Sequence, residues 1–127
     1  VRLIAGSGII WGLGPDGGVV APINPFSTLW WVVTGIIYPD QKVQEGVVTR
    51  EQALVAHTRS NAYLLFKEKD LGSLESGKLA DFVVLDRDYM TIPEDQIKEI
   101  KPVMTVVGGG RLSMRLIRNR GLRPCHP

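Results

Sequence analysis

Side chains able to bind a metal or move a proton at neutral pH are scarce in this chain: two histidines, His57 and His126, and one cysteine, Cys125. Carboxylates are more common, and one has a setting that stands apart. Asp16 lies in Trp-Gly-Leu-Gly-Pro-Asp-Gly-Gly, residues 11–18, between the apolar runs Ile9-Ile10-Trp11 and Val19-Val20-Ala21. It could be a plain turn former, the neighbour of a phosphate-cradling loop, or a metal-binding carboxylate at a strand end. Each use makes a different demand on the surrounding chain.

The phosphate reading fails on context. Gly12, Gly14 and Gly17 fit G-x-G-x-x-G, but that pattern works only when the third glycine enters a helix whose amides face a pyrophosphate. Pro15 removes an amide from the loop, Gly18, Pro22 and Pro25 postpone any helix, and no strand ends in an acid about 20 residues later. The match is coincidental. Pro15-Asp16-Gly17 does have sound turn chemistry: a preset φ, a side chain that accepts locally, and a residue free to take positive φ. The metal reading stays open beside it, because functional carboxylates of β/α barrels sit at C-terminal strand ends, next to the loop into the following helix.

Composition narrows the classes. With 44% hydrophobic and 22% charged residues in 127, the chain has the make-up of an ordinary soluble domain. A net charge of +2 is too small to call for a polyanionic partner. Arg111, Arg115, Arg118, Arg120 and Arg123 have no acid among them, so the tail alone makes a mildly acidic chain basic. That tail has no aromatic residue after Met114, reads as a loosely ordered terminus, and is not expected to bind nucleic acid. A single cysteine excludes an internal disulfide and a thiolate metal site, which points to a reducing, cytoplasmic compartment. No apolar run approaches the roughly 20 residues of a membrane span, so no membrane partner is expected. The chain opens on Val1, so the lack of a visible targeting segment decides nothing.

The elements that must position Asp16 follow. Asn24 and Pro25 are a favoured N-cap and first helical residue. Phe26, Leu29, Trp30 and Val33 then trace one helical face up to Gly35. The competing reading is a strand, because residues 28–38 are rich in β-branched and aromatic side chains; the helix is preferred. Residues 39–48 read as a loop. Thr49 and Gln52 have capping-box spacing and open a helix to about Phe66, with Val55, Ala62, Leu65 and Phe66 on one side around Thr58. His57, alone on that helix, reads as structural. From Leu71 the texture turns to short segments: a buried-type strand Phe82-Val83-Val84-Leu85, a helical turn over residues 94–100, a strand over 102–107, and a turn at Gly108-Gly109-Gly110 into a hairpin partner over 111–114.

One segment carries a resemblance. Gly72-Ser-Leu-Glu-Ser-Gly-Lys-Leu-Ala-Asp-Phe-Val-Val-Leu-Asp86 is very similar to the stretch near the C-terminus of the metal-dependent amidohydrolases, in particular the amidohydrolase family 3 branch with N-acyl and formamide hydrolases. That branch also has a strand-end Gly-Asp loop and a helix like Thr49, Gln52, Ala53 and Leu54, with Thr-x-x-Asn-Ala as in Thr58 to Ala62. Asp88, Pro93-Glu94-Asp95-Gln96-Ile97 and Thr105-Val106-Val107-Gly108-Gly109 continue the likeness, which spans roughly residues 3–112.

The resemblance implies an α/β fold: the C-terminal part of a β/α (TIM) barrel plus the C-terminal segment of a composite small β-sandwich. Residues 1–66 would hold the last barrel strand (9–13), its loop and the closing helices; residues 67–115 the sandwich segment; residues 116–127 the basic tail. Gly72 and Gly77 would be tight turns, and Asp81 and Asp86 would flank a strand in solvent. Asp16 takes the family's strand-eight position, as metal ligand and as catalytic acceptor of a proton from metal-bound water, whose pKa a metal lowers from 15.7 to about 7. The implied cofactor is a divalent metal, zinc, and the implied partner a small-molecule amide-type substrate. Pro15 departs from the family's Ser or Thr. The family's remaining ligands have no counterpart here, and a catalytic zinc takes three protein ligands. A barrel also needs at least about 200 residues. The expectation is therefore a C-terminal piece of a hydrolase of C–N bonds, inactive by itself, with substrate-binding residues unassigned. The alternative is a non-catalytic, self-associating domain. In either case the edges of strands 9–13, 81–85 and 102–107 would favour a homo-oligomer.

Overall fold

A computed structural model describes residues 1–15, 23–37, 41–43, 48–108 and 110–114, the last by backbone alone. A short helix α1 (Arg2–Ala5) comes first, residues 9–15 after it form no helix or strand, and α2 (Pro25–Thr34) is the next described element. Both of its expected end signals are present. The Asn24 side chain accepts from Phe26 N at 3.0 Å, and Gly35 takes φ 72° while its N–H donates to Trp31 O at 2.8 Å. Only glycine adopts that left-handed conformation without cost, so the helix stops there. The strand alternative survives only beyond the cap, where β1 (Ile36–Ile37) pairs antiparallel with β2 (Gln41–Lys42). A two-residue strand thus stands in what reads as loop.

The Thr49 box is complete: Thr49 Oγ1 accepts from Gln52 N at 3.1 Å and Gln52 Oε1 from Thr49 N at 2.9 Å. The helix it opens is not continuous to Phe66. It runs as α3 (Arg50–His57), breaks at Thr58 (φ −120°, ψ −80°), and resumes as α4 (Arg59–Leu64). The Thr58 hydroxyl donates back to Leu54 O at 2.7 Å, the bond by which a mid-helix Thr bends its own helix. The buried face is also not the expected one. Ala53, Ala56 and Ala62 are buried, whereas Val55 is 40%, Leu65 69% and Phe66 90% exposed. Small alanines let α3 lie close to α2, and that proximity decides which face turns inward.

The C-terminal half is a three-stranded antiparallel sheet in the order β3 (Phe82–Leu85), β4 (Pro102–Val107), β5 (Gly110–Met114), with a 3₁₀ helix (Glu94–Glu99) in the β3–β4 connection. Val83 and Val84 are 47% and 40% exposed, so β3 is half-covered and not the buried strand its composition predicts. Asp81 and Asp86 do not lie idle in solvent. Both are half-buried; Asp81 Oδ1 accepts from Gly108 N at 2.6 Å and Asp86 Oδ1 from Lys101 N at 3.0 Å, one clamp at each end of β3. Pro102 has no N–H to extend the ladder, and the Asp86 carboxylate takes up the amide just before it. The two halves meet through one core: Phe26, Leu29, Trp30, Val32 and Val33 of α2 pack with Ala53, Tyr89, Ile97 and Ile100. Asn24 Nδ2 donates to Lys98 O at 3.3 Å and Lys98 Nζ lies 4.3 Å from the Trp30 ring centroid, which ties the start of α2 to the 3₁₀ helix.

Candidate functional site

Asp16, the one residue assigned a catalytic and metal-binding role, lies outside the described residues, as do His126, Cys125 and the tail after Met114. The segment that leads to it is described. Residues 9–15 form no strand, which corrects the expectation of one at 9–13. A strand is a paired object, and no described residue forms a ladder with these. What holds the segment is side chains. Asn61 Nδ2 donates to Leu13 O at 2.8 Å, and His57 Nδ1 stands 3.3 Å from the same oxygen.

The geometry of this clasp comes from the helices. His57 and Asn61 are four apart, one on each side of the Thr58 break, so they project from neighbouring turns toward the same point. Asn61 Nδ2 also donates to His57 O at 3.3 Å. A nitrogen serving two carbonyls fixes the amide orientation, because the flipped form would set its oxygen against two acceptors. Leu13 O only accepts, so a bond at this oxygen requires that Nδ1 carry the proton. Gly12 lies directly beneath. A methyl there would overlap Asn61 Oδ1 and come within 2.8 Å of Leu64 Cδ1. The signal for the pair was present in the sequence as the i, i+4 spacing of His57 and Asn61; a lone-histidine reading of His57 misses it.

Farther along, Gly72 and Gly77 take φ of 91° and 92°, as turns of this kind require. Gly72 also packs tightly, since a methyl would come within 2.8 Å of Ala62 Cβ. Between the two glycines, Lys78 Nζ donates to Ser73 Oγ at 2.8 Å and lies 3.5 Å from Glu75 Oε2. A hydrogen bond from Ser73, seconded by the Lys78 charge, holds the Glu75 carboxyl below its usual range. These groups satisfy one another and brace the turn. Among the described residues no three His, Cys, Asp or Glu side chains cluster to hold a metal. The described residues therefore do not make up a metal centre. No helix among them is long and apolar enough to cross a membrane.

Comparison with known proteins agrees with the sequence resemblance. A model of the amidohydrolase family matches residues 1–112. The chain is 29% identical over 100 residues to amidohydrolase YtcJ of Bacillus subtilis (strain 168), covering 73% of this chain and 19% of that protein. It is 28% identical over 87 residues to the N-substituted formamide deformylase of Arthrobacter pascens, covering 68% of this chain and 16% of that protein. The chain belongs to the amidohydrolase family. It spans less than a fifth of the length of either relative by these alignments.

Proposed function

We propose that this chain is the C-terminal part of a metal-dependent hydrolase of C–N bonds, acting on amide-type substrates such as N-substituted formamides. In this reading residues 1–66 close a β/α barrel, residues 67–115 add strands to a composite β-sandwich, and Asp16 is the carboxylate this part contributes as metal ligand and proton acceptor. The supporting observation is the family match over residues 1–112, which takes in the loop bearing Asp16. The remaining ligands would come from elsewhere in the protein, so the 127 residues alone are inactive. The test is the whole protein with Asp16→Asn, assayed for deformylation and amide hydrolysis and for divalent metal content. Loss of turnover by at least about a hundredfold, with lowered metal occupancy, is expected. Wild-type turnover and metal content would remove Asp16 from the mechanism.

A second reading has its own support. Leu3, Ile9, Leu65 and Phe66 are 69–90% exposed, apolar side chains that association could cover. In that reading the chain is a non-catalytic domain that associates with copies of itself.

A further inference from the structure

We propose that Asn61, seconded by His57, is a positioning residue for the segment that leads to Asp16: it holds the Leu13 carbonyl and so sets where the chain runs on toward that carboxylate. The inference rests on the reading of Asp16 above. Its own basis is the clasp at Leu13 O, with Asn61 Nδ2 at 2.8 Å and His57 Nδ1 at 3.3 Å. A backbone carbonyl is normally satisfied by a ladder or a helix. Here two side chains from two separate helical segments converge on one oxygen, and Asn61 spends its second N–H on His57 O, which ties the two segments together. Gly12 makes the contact possible, because any side chain there would occupy the place of the Asn61 carboxamide. Only Gly14 and Pro15 separate Leu13 from Asp16 in the sequence, and Pro15 has a fixed φ. A displacement of Leu13 therefore reaches Asp16 unless the torsions of Gly14 absorb it.

The experiment uses the whole protein with Asn61→Asp, Asn61→Ala, Gly12→Ala and the pair Gly12→Ala/Asn61→Ala, beside Asp16→Asn. Asn61→Asp keeps the shape but loses the N–H donors, and its charge repels the carbonyl. It is expected to lower kcat by about tenfold to a hundredfold, the scale of an ångström-sized misplacement, while KM changes little and the thermal midpoint falls only as far as the lost bonds to Leu13 O and His57 O require. Amide exchange in a peptide covering residues 10–18 should speed up. Gly12→Ala, which displaces the carboxamide by overlap, should reproduce these effects, and the double variant should be no worse than Asn61→Ala alone, as expected of groups acting through one contact. A merely structural Asn61 would shift the midpoint and leave the kcat-to-KM split unmoved. If Asp16→Asn abolishes turnover while Asn61→Asp and Gly12→Ala leave both turnover and exchange at wild-type values, the positioning role is overturned and the reading of Asp16 stands. Wild-type turnover in Asp16→Asn overturns both. Should Asn61→Asp fail to fold, Gly12→Ala decides by the same measures.

Discussion

The end of α4 offers a prediction whose sign can be worked from geometry. Lys67 N donates to Ala62 O at 2.8 Å and Phe66 N to Tyr63 O at 2.9 Å, the paired bonds of a Schellman motif, with Phe66 at the position that favours glycine. Phe66 has φ 57° and is 90% exposed. An L-residue in this conformation costs roughly 1–2 kcal/mol, and a ring this exposed returns almost nothing by burial. Glycine removes that cost but adds about 0.5–1 kcal/mol of backbone entropy lost on folding. Phe66→Gly should thus stabilise the chain by about 0.5–1 kcal/mol, raising the thermal midpoint by about 2–4 °C. Phe66→Ala is the control: it removes the ring and keeps the left-handed cost, so it should stay within about 0.5 kcal/mol of wild type. Urea unfolding followed by circular dichroism at low micromolar concentration reads both. If Phe66→Gly and Phe66→Ala both destabilise by more than about 1 kcal/mol, the ring packs in the folded chain and the argument from exposure is wrong.

Two further predictions follow from burial and exposure. Burial pushes the Tyr89 hydroxyl up from 10.0 to about 12, against the opposing Arg50 charge, and Tyr89 Oη donates to Arg50 O at 3.1 Å. Because the folded value lies above the unfolded one, this contribution to stability is complete below pH 10 and is lost as pH rises toward 12. Tyr89→Phe should cost about 1 kcal/mol at pH 7 and show a shallower alkaline decline in urea titrations; an identical decline would exclude Tyr89 as its source. The exposed apolar residues, together with the edge of β3 that no described strand pairs, predict self-association of the isolated chain. Of the strand edges expected to drive this, 102–107 is already used, since β4 pairs with both β3 and β5. Light scattering at tens of micromolar should therefore report a dimer or larger species, and a clean monomer would count against the self-associating reading.

Much of the local structure was legible because its causes lie within a few residues of each other. Asn24 with Pro25, Gly35, and Thr49 with Gln52 mark helix ends through bonds to amides at most four positions away. The same holds for the 3₁₀ turn after Pro93 and for the β4–β5 hairpin. Where the reading failed, the deciding partner was distant. The inward face of α3 and α4 is the alanine face, because Ala53 packs in the core with α2 and Ala62 lies against Gly72. Val83 and Val84 point to opposite faces of β3 and both are part-exposed, so the described residues fully cover neither face.

The sequence by itself determined the helix caps, the strands of the small sheet and the family. Periodicity, capping and turn chemistry act over one turn of chain, and a family resemblance is carried by residue order. Only the tertiary structure decided that His57 and Asn61 meet at the Leu13 carbonyl, 44 and 48 positions away. It also decided that Asp81 reaches 27 positions to the amide of Gly108. No local rule specifies such pairs, because they depend on where α2, α3 and the sheet settle when their apolar faces are buried together. The Leu13 carbonyl is thus held by helices that the sequence places but does not aim.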